Sequence, residues 1–399
     1  MFKRLTNALA LSAVIVSPSI AGAGARMSED HRARAESMVE EGIEYLRRAQ
    51  DEKTGGWSVP EDGPVLPAIT GLAVSAMSGH PEIDYRDEDV GRGLAFIESF
   101  MQPGGGIYDR VLPAYNTSIC LSALARSGKP TAGDAIESAR DYLVSLQWSE
   151  DSIARDGEPA EVGTDHPFYG GVGYGGSGRP DGSNLHFFMQ ALEDAGVESD
   201  AEPVKRALVY LERIQMDDGV NDMEYADGSD QGGFIYATSP DTDSLGAGES
   251  KAGTITETMD DGTNVSRLRA YGSMTYAGFK SYAFADLDRD DPRVESARGW
   301  IRRNYTLAEN PGIGEQGRYY YYMTFGKALG AWGEETIEVR DRDGSGTHDT
   351  RWAEDLVDAL EKLQRPDGSF RSVHPRWMED NAVLITSYSL IALHEAIGW

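Results

Sequence analysis

A unit that recurs six times along the chain limits what it can fold into. In each copy an amphipathic segment is followed by a glycine-bearing turn and then by a segment of small, apolar and aromatic residues. The first segments end at Gln50, Gln102, Gln147, Gln215, Tyr305 and Gln364. Their apolar residues keep helical spacing: Val204, Ala207, Leu208 and Leu211 fall at i, i+3, i+4 and i+7, and Ile136, Ala139 and Leu143 follow the same rule. The second segments, 66–78, 116–127, 184–195, 273–285, 319–332 and 382–397, lack a strongly polar face. Such helices are buried on most sides. Stacked helical hairpins bury a continuous core only together. The pattern predicts an all-α fold, an (α/α)6 toroid, with six outer helices facing solvent and six inner helices around an axis. An open solenoid would need terminal repeats with a polar outer face, and the sequence shows none.

Gln364-Arg365-Pro366-Asp367-Gly368-Ser369-Phe370 and Gln50…Gly55-Gly56-Trp57 resemble the QW repeats of squalene and oxidosqualene cyclases, and Gln215-Met216-Asp217-Asp218-Gly219 is a partial copy. A Gln amide can tie the outer helix to the turn, glycine supplies a positive φ, and the aromatic ring packs beneath. The resemblance implies the α/α toroid of the squalene cyclase and prenyltransferase superfamily, which complement thioester domains share. It says little about activity, because function lives in sites grafted onto folds.

Residues 1–23 read as a signal peptide: Lys3 and Arg4, an apolar run, then Ala21-Gly22-Ala23 as cleavage site. A retained anchor is the alternative. Residues 24–399 then form one domain, with insert loops at 148–182, 216–271 and 333–351, and the expected location is secreted or periplasmic. No later run is long enough to span a membrane. The net charge of −29 argues against nucleic acid and anionic membranes as partners. Cys120 is the only cysteine, so neither an internal disulfide nor a cysteine-based zinc site can form. No cofactor motif is present.

Loops longer than about 15 residues usually carry function or structure of their own. Those at 148–182 and 216–271 emerge at the end that holds the N-termini of the inner helices, so a pocket is expected to open there. The insert at 333–351 reads as a β-hairpin on the opposite face. Three residues are candidates for chemistry. His166 stands beside Asp165 and could act as acid or base. Lys280 lies on an inner helix and either reaches a polar lumen or snorkels to its end. Tyr320 is the member of Tyr319–Tyr322 best placed at the rim, since at most two of these four can face one pocket. Tyr169, Tyr174, Tyr271, Tyr276, Glu315 and Gln316 are candidate ligand contacts. Asn116, Asn184 and Asp380 are candidates too, although such residues also serve as helix N-caps.

Three tempting motifs are incomplete. Asp288-Arg289-Asp290-Asp291 matches the acid motif of squalene–hopene cyclases, but Asp291-Pro292 spells an N-cap with proline at the first helical position. Asp341–Asp349 has some of the spacing of a calcium loop, but Ser345 and Trp352 stand where acids are needed; it reads as a hairpin turn. Pro311–Gln316 resembles a thioester loop with Ile313 in place of the cysteine. Two functions follow. One is a toroid that binds or processes a small molecule, an isoprenoid-like lipid or a glycan, in its central cavity. The other is a non-catalytic binding or scaffold toroid.

Overall fold

The computed structural model describes residues 27–152, 161–175, 178–259, 261–341 and 343–399. The expected signal peptide, 1–23, lies outside the described residues. Twelve helices follow as six hairpins: α1 (Glu29–Ala49) and α2 (Pro67–Ser78), α3 (Glu88–Glu98) and α4 (Pro113–Arg126), α5 (Gly133–Val144) and α6 (Gly182–Asp194), α7 (Glu202–Ile214) and α8 (Gly272–Phe284), α9 (Pro292–Asn304) and α10 (Arg318–Trp332), α11 (Trp352–Glu361) and α12 (Ala382–Ile397). Each even-numbered helix packs on the next, and α12 packs back on α2. The inner ring is therefore closed, as the repeat pattern predicts. Among the described residues no helix is long and apolar enough to cross a membrane.

The two rings differ for the reason read from their sequences. Outer helix α7 buries Val204, Ala207, Tyr210, Leu211 and Ile214 along one stripe. Inner helix α12 is buried without interruption from Val383 to His394. Helix starts use polar caps, Asp291 as its sequence predicts and Asn381 in place of its neighbour Asp380. Asp291 accepts from the Arg293 N–H at 2.9 Å, and Asn381 from those of Val383 at 3.0 Å and Leu384 at 3.2 Å. Each such cap stabilises by about 1 kcal/mol.

Four glutamines stitch neighbouring hairpins together. Gln50 donates to the carbonyls of Gly55 at 2.9 Å and Asp89 at 2.8 Å. Gln147 reaches Gly170 and Pro203 at 3.0 and 2.9 Å, and Gln215 reaches Gly232 and Arg293, both at 2.9 Å. Gln364 reaches Gly368 at 3.2 Å and Met38 at 2.9 Å. One bond closes the local turn and the other holds the next outer helix. Gln102 differs: it donates to Phe100 and Tyr108 within its own repeat. The turn glycine also presses on the neighbour. Gly170 has φ +79°, and a Cβ there would stand 1.8 Å from the Arg206 carbonyl oxygen. The turn is tied inward as well, by the N–H groups of Trp57, Phe234 and Phe370 donating to Thr70, Thr275 and Thr386 at 3.0, 3.1 and 3.0 Å.

Two antiparallel hairpins decorate the ring, β1 (Thr254–Thr258) with β2 (Asn264–Leu268) and β3 (Ile337–Arg340) with β4 (Thr347–Thr350). The second is the hairpin expected at 333–351, but its course corrects the expected one. It does not stay on the far face. It climbs the outer wall between α9 and α11, where Arg302 lies 3.7 Å from Glu338 and β3 packs on α9. The first and last outer helices meet: α1 packs on α11 and α12, with Ser28 N–H donating to Glu354 at 2.8 Å and Arg32 donating to the Ile397 carbonyl at 2.8 Å.

Candidate functional site

Outer and inner helices alternate, so all inner helices start at the same end. At that end lies a cavity of about 190 Å3. Every inner helix contributes its first turns, through Ala68, Tyr115, Ser183, Met274, Tyr320 and Leu384. Loops complete the wall with Leu112, Tyr174, Tyr236, Tyr271 and the strap Trp377-Met378-Glu379. Six tyrosines and one tryptophan thus surround the space. The Tyr174 and Tyr236 hydroxyls lie 3.1 Å apart. The Tyr320 hydroxyl is buried and has no hydrogen-bond partner.

The wall is electrically one-sided. Among the described residues no lysine, arginine or histidine lines the cavity, and Glu379 is its one acid. Glu379 is 1% exposed. Its carboxylate accepts from the N–H groups of Arg318 at 3.1 Å, Tyr319 at 2.8 Å and Tyr320 at 3.1 Å, capping α10 from across the mouth. Burial outweighs these bonds and pushes its pKa up to about 7. Behind Ser183, fully buried Asp181 caps α6 and accepts from Ser183 and Asn184; burial raises its pKa too.

Backbone strain gathers here. Leu112, Trp377 and Met378 line the cavity with φ of +50°, +57° and +63°. Bulky residues in the left-handed region cost about 1–3 kcal/mol each, and such strain clusters at ligand clamps. Trp377 lies on Gly317, where a Cβ would stand 3.0 Å from the indole.

The expected site residues separate into those at the cavity and those away from it. Tyr174, Tyr271, Tyr320 and Asn116 line it. Asn116 is already engaged, accepting from Ala68 N–H and donating to the Val111 and Leu112 carbonyls. His166 lies outside, stacked on Trp148 with ring centroids 6.2 Å apart. Tyr169 donates to Glu150 at 3.3 Å on the outer side. Asn184 donates to Asp181, and Tyr276 packs against Tyr321 and Phe325. Glu315 pairs with His374 at 2.9 Å on the rim, and Gln316 accepts from Arg376 at 2.5 Å. Asp380 is exposed, and its neighbour Asn381 is the cap of α12.

Lys280 settles at the far end of the lumen, paired with Glu193. Lys327 donates there to Gln190 at 3.1 Å, and burial pushes its pKa down to about 8. Above them His186 is buried against Phe187 and Tyr320. Side chains of facing inner helices thus meet across the far half of the lumen. Two clefts of about 600 and 590 Å3 on the outer wall share Thr306 and Arg340 and contain none of the expected site residues.

Tyr115, Tyr236, Tyr388, Trp377 and Glu379 were not among the expected residues. Tyr388 carried a signal, as the only Phe, Tyr or Trp in α12. Glu379 carried none, because its partners lie about sixty residues away.

The double ring recurs in solved structures. A type II terpene cyclase, MstE from Scytonema, solved with geranylgeranyl dihydroxybenzoate, is 14% identical over 93% of this chain and 99% of its own, with a TM-score of 0.54. A D-mannose isomerase is 11% identical over 94% and 99%, with a TM-score of 0.58. The fold is an α/α toroid. An inactive variant of an α-1,6-mannanase from Salegentibacter, solved with α-1,6-mannotriose, shares the toroid at 10% identity, 91% and 99% coverage and a TM-score of 0.53. These likenesses are of fold. No protein-family profile and no curated protein matches the chain.

Proposed function

We propose that the toroid binds a compact, largely apolar molecule in the tyrosine-lined cavity at its mouth. The observation that carries this reading is the convergence of six tyrosines and Trp377 on one open space. Size narrows the ligand. A cavity of about 150 Å3 holds benzene, and drug-sized ligands occupy about 300–1,000 Å3; about 190 Å3 suits one or two rings. The lining favours such a ligand over a glycan, since Asn116 is its only amide and its hydrogen bonds are already made. The terpene cyclase and mannanase neighbours are reported with an isoprenoid-bearing aromatic and with mannotriose, so both classes belong in the test. Export is part of the proposal and rests on residues 1–23 alone.

Thermal shift and tryptophan fluorescence with a panel of one- and two-ring compounds test the reading. A ligand at a hundred times its Kd stabilises by about 2.7 kcal/mol. Saturable shifts are expected for wild type and not for Leu72→Trp, which fills the cavity. Shifts with mannotriose alone, or equal shifts in both proteins, would refute it. The side-chain contacts across the far half of the lumen favour the second reading, a non-catalytic scaffold. That reading gains if native mass spectrometry and the ring panel both find nothing bound.

A further inference from the structure

We propose that the ligand of the mouth cavity is an organic ammonium ion, held against the tyrosine and tryptophan faces and neutralised by Glu379. The inference rests on the reading of this cavity as a binding site and adds the ligand's charge.

The lining has the composition of an aromatic cage. Tyr115, Tyr236, Tyr271, Tyr320, Tyr388 and Trp377 stand around a space the size of a substituted ammonium group with a short tail. Ring faces carry negative potential and attract cations, most strongly when water is excluded, and quaternary ammonium ligands are recognised in this way. Two of these rings already bear the protein's own cations. Lys251 Nζ lies 4.4 Å from the Tyr236 centroid, and the Arg376 guanidinium carbon lies 4.2 Å from that of Trp377. Neither Lys251 nor Arg376 lines the cavity.

Charge supports the same conclusion. An ionised carboxylate has about four acceptor sites, and three N–H groups bind that of Glu379. The nearest cationic side chain, Arg318, is committed to Glu315 at 3.1 Å and does not line the cavity. The hydrogen bonds of Asp181 come from uncharged donors, the N–H groups of Ser183 and Asn184, the Ser183 hydroxyl and the Asn184 amide. Asp181 has Arg179 nearby, whose guanidinium carbon also lies 5.3 Å from the Tyr236 centroid, so among the described residues Glu379 is the one carboxylate that lines the cavity with no cationic side chain beside it in the lining. Above about pH 7, where Glu379 is ionised, a neutral ligand leaves its carboxylate without a counter-charge, whereas an ammonium ion pairs with it. The −29 net charge draws cations toward the mouth.

Calorimetry at pH 8, where Glu379 is ionised, with choline and its neutral isostere 3,3-dimethylbutan-1-ol at fixed ionic strength isolates the charge. Choline should bind at least tenfold more tightly. Glu379→Gln should remove most of that preference. Tyr388→Leu should weaken choline more than the isostere, and Tyr388→Phe, which keeps the ring, should recover most of the preference for choline that Tyr388→Leu loses. These Tyr388 variants keep the test independent of whether Glu379→Gln folds. Equal binding of both compounds, with no effect of Glu379→Gln or Tyr388→Leu, overturns the ammonium assignment and leaves the cavity reading standing. Binding of neither compound also overturns it, and the neutral ring panel then decides the cavity separately.

Discussion

The Glu379 carboxyl accepts three backbone N–H groups and still titrates near 7, because almost no water reaches it. The sign of its effect on folding follows. Below pH 4.5 the carboxyl is protonated in both the folded and the unfolded chain. As the pH rises toward 7 the unfolded chain releases its proton while the fold retains it. The stability this group contributes at acid pH is therefore lost across that window, by up to about 3 kcal/mol. Glu379→Gln keeps an acceptor for α10 and cannot ionise. Denaturation midpoints measured from pH 5 to pH 8 should fall more for wild type than for Glu379→Gln. Parallel pH profiles would show that Glu379 ionises near its ordinary value. Nothing near position 379 announces this behaviour. Met378-Glu379-Asp380-Asn381 offers three polar residues for one helix start, and Asn381 takes that role while Glu379 reaches across the mouth to another helix. The sequence reading chose Asp380, one residue away, because a partner some sixty positions distant leaves no trace in local spacing.

Among the elements, the glutamine clasps are the joints between hairpins, and they are not equivalent. Gln215 is buried, donates to two carbonyls and accepts from the Tyr282 hydroxyl at 2.7 Å. Gln215→Ala leaves those groups unpaired in the interior and should destabilise by about 3 kcal/mol. Gln102 bonds only within its own repeat and is partly exposed, so Gln102→Ala should cost less than about 1 kcal/mol. Urea denaturation of the two variants checks the contrast, and similar losses would contradict it. Helix positions were legible because period and caps agree locally: Asp291-Pro292 marks a start that the structure keeps. The Gln102 repeat lacks the clasp because Phe-Met-Gln-Pro-Gly-Gly-Gly offers its glutamine one place late: Met101 bridges to Ile107 where Gln50 bridges to Trp57. Which aromatic residues face the lumen was less legible. Helices such as α10 and α12 are apolar nearly all round, so no polar stripe sets their phase, and Tyr320 was chosen while Tyr388 was passed over.

Across the whole molecule, closure makes every hairpin a neighbour of two others, so no repeat is terminal. In an open array, losing the last repeat leaves the rest folded. Here α12 contacts α1, α2, α10 and α11, and a chain cut after Pro375 should lose cooperative unfolding altogether. The seam where α1 meets α11 and α12 has a further consequence. Arg32 donates to the Ile397 carbonyl at 2.8 Å, so the two ends of the described ring lie side by side and a short Gly-Ser tether can join them. A circular permutant tethered from Trp399 to Met27 and reopened between Asp288 and Arg289, in an exposed turn, should fold with a circular dichroism spectrum like that of the parent. The order in which the six hairpins are synthesised would then be free to change, while their order around the axis would not.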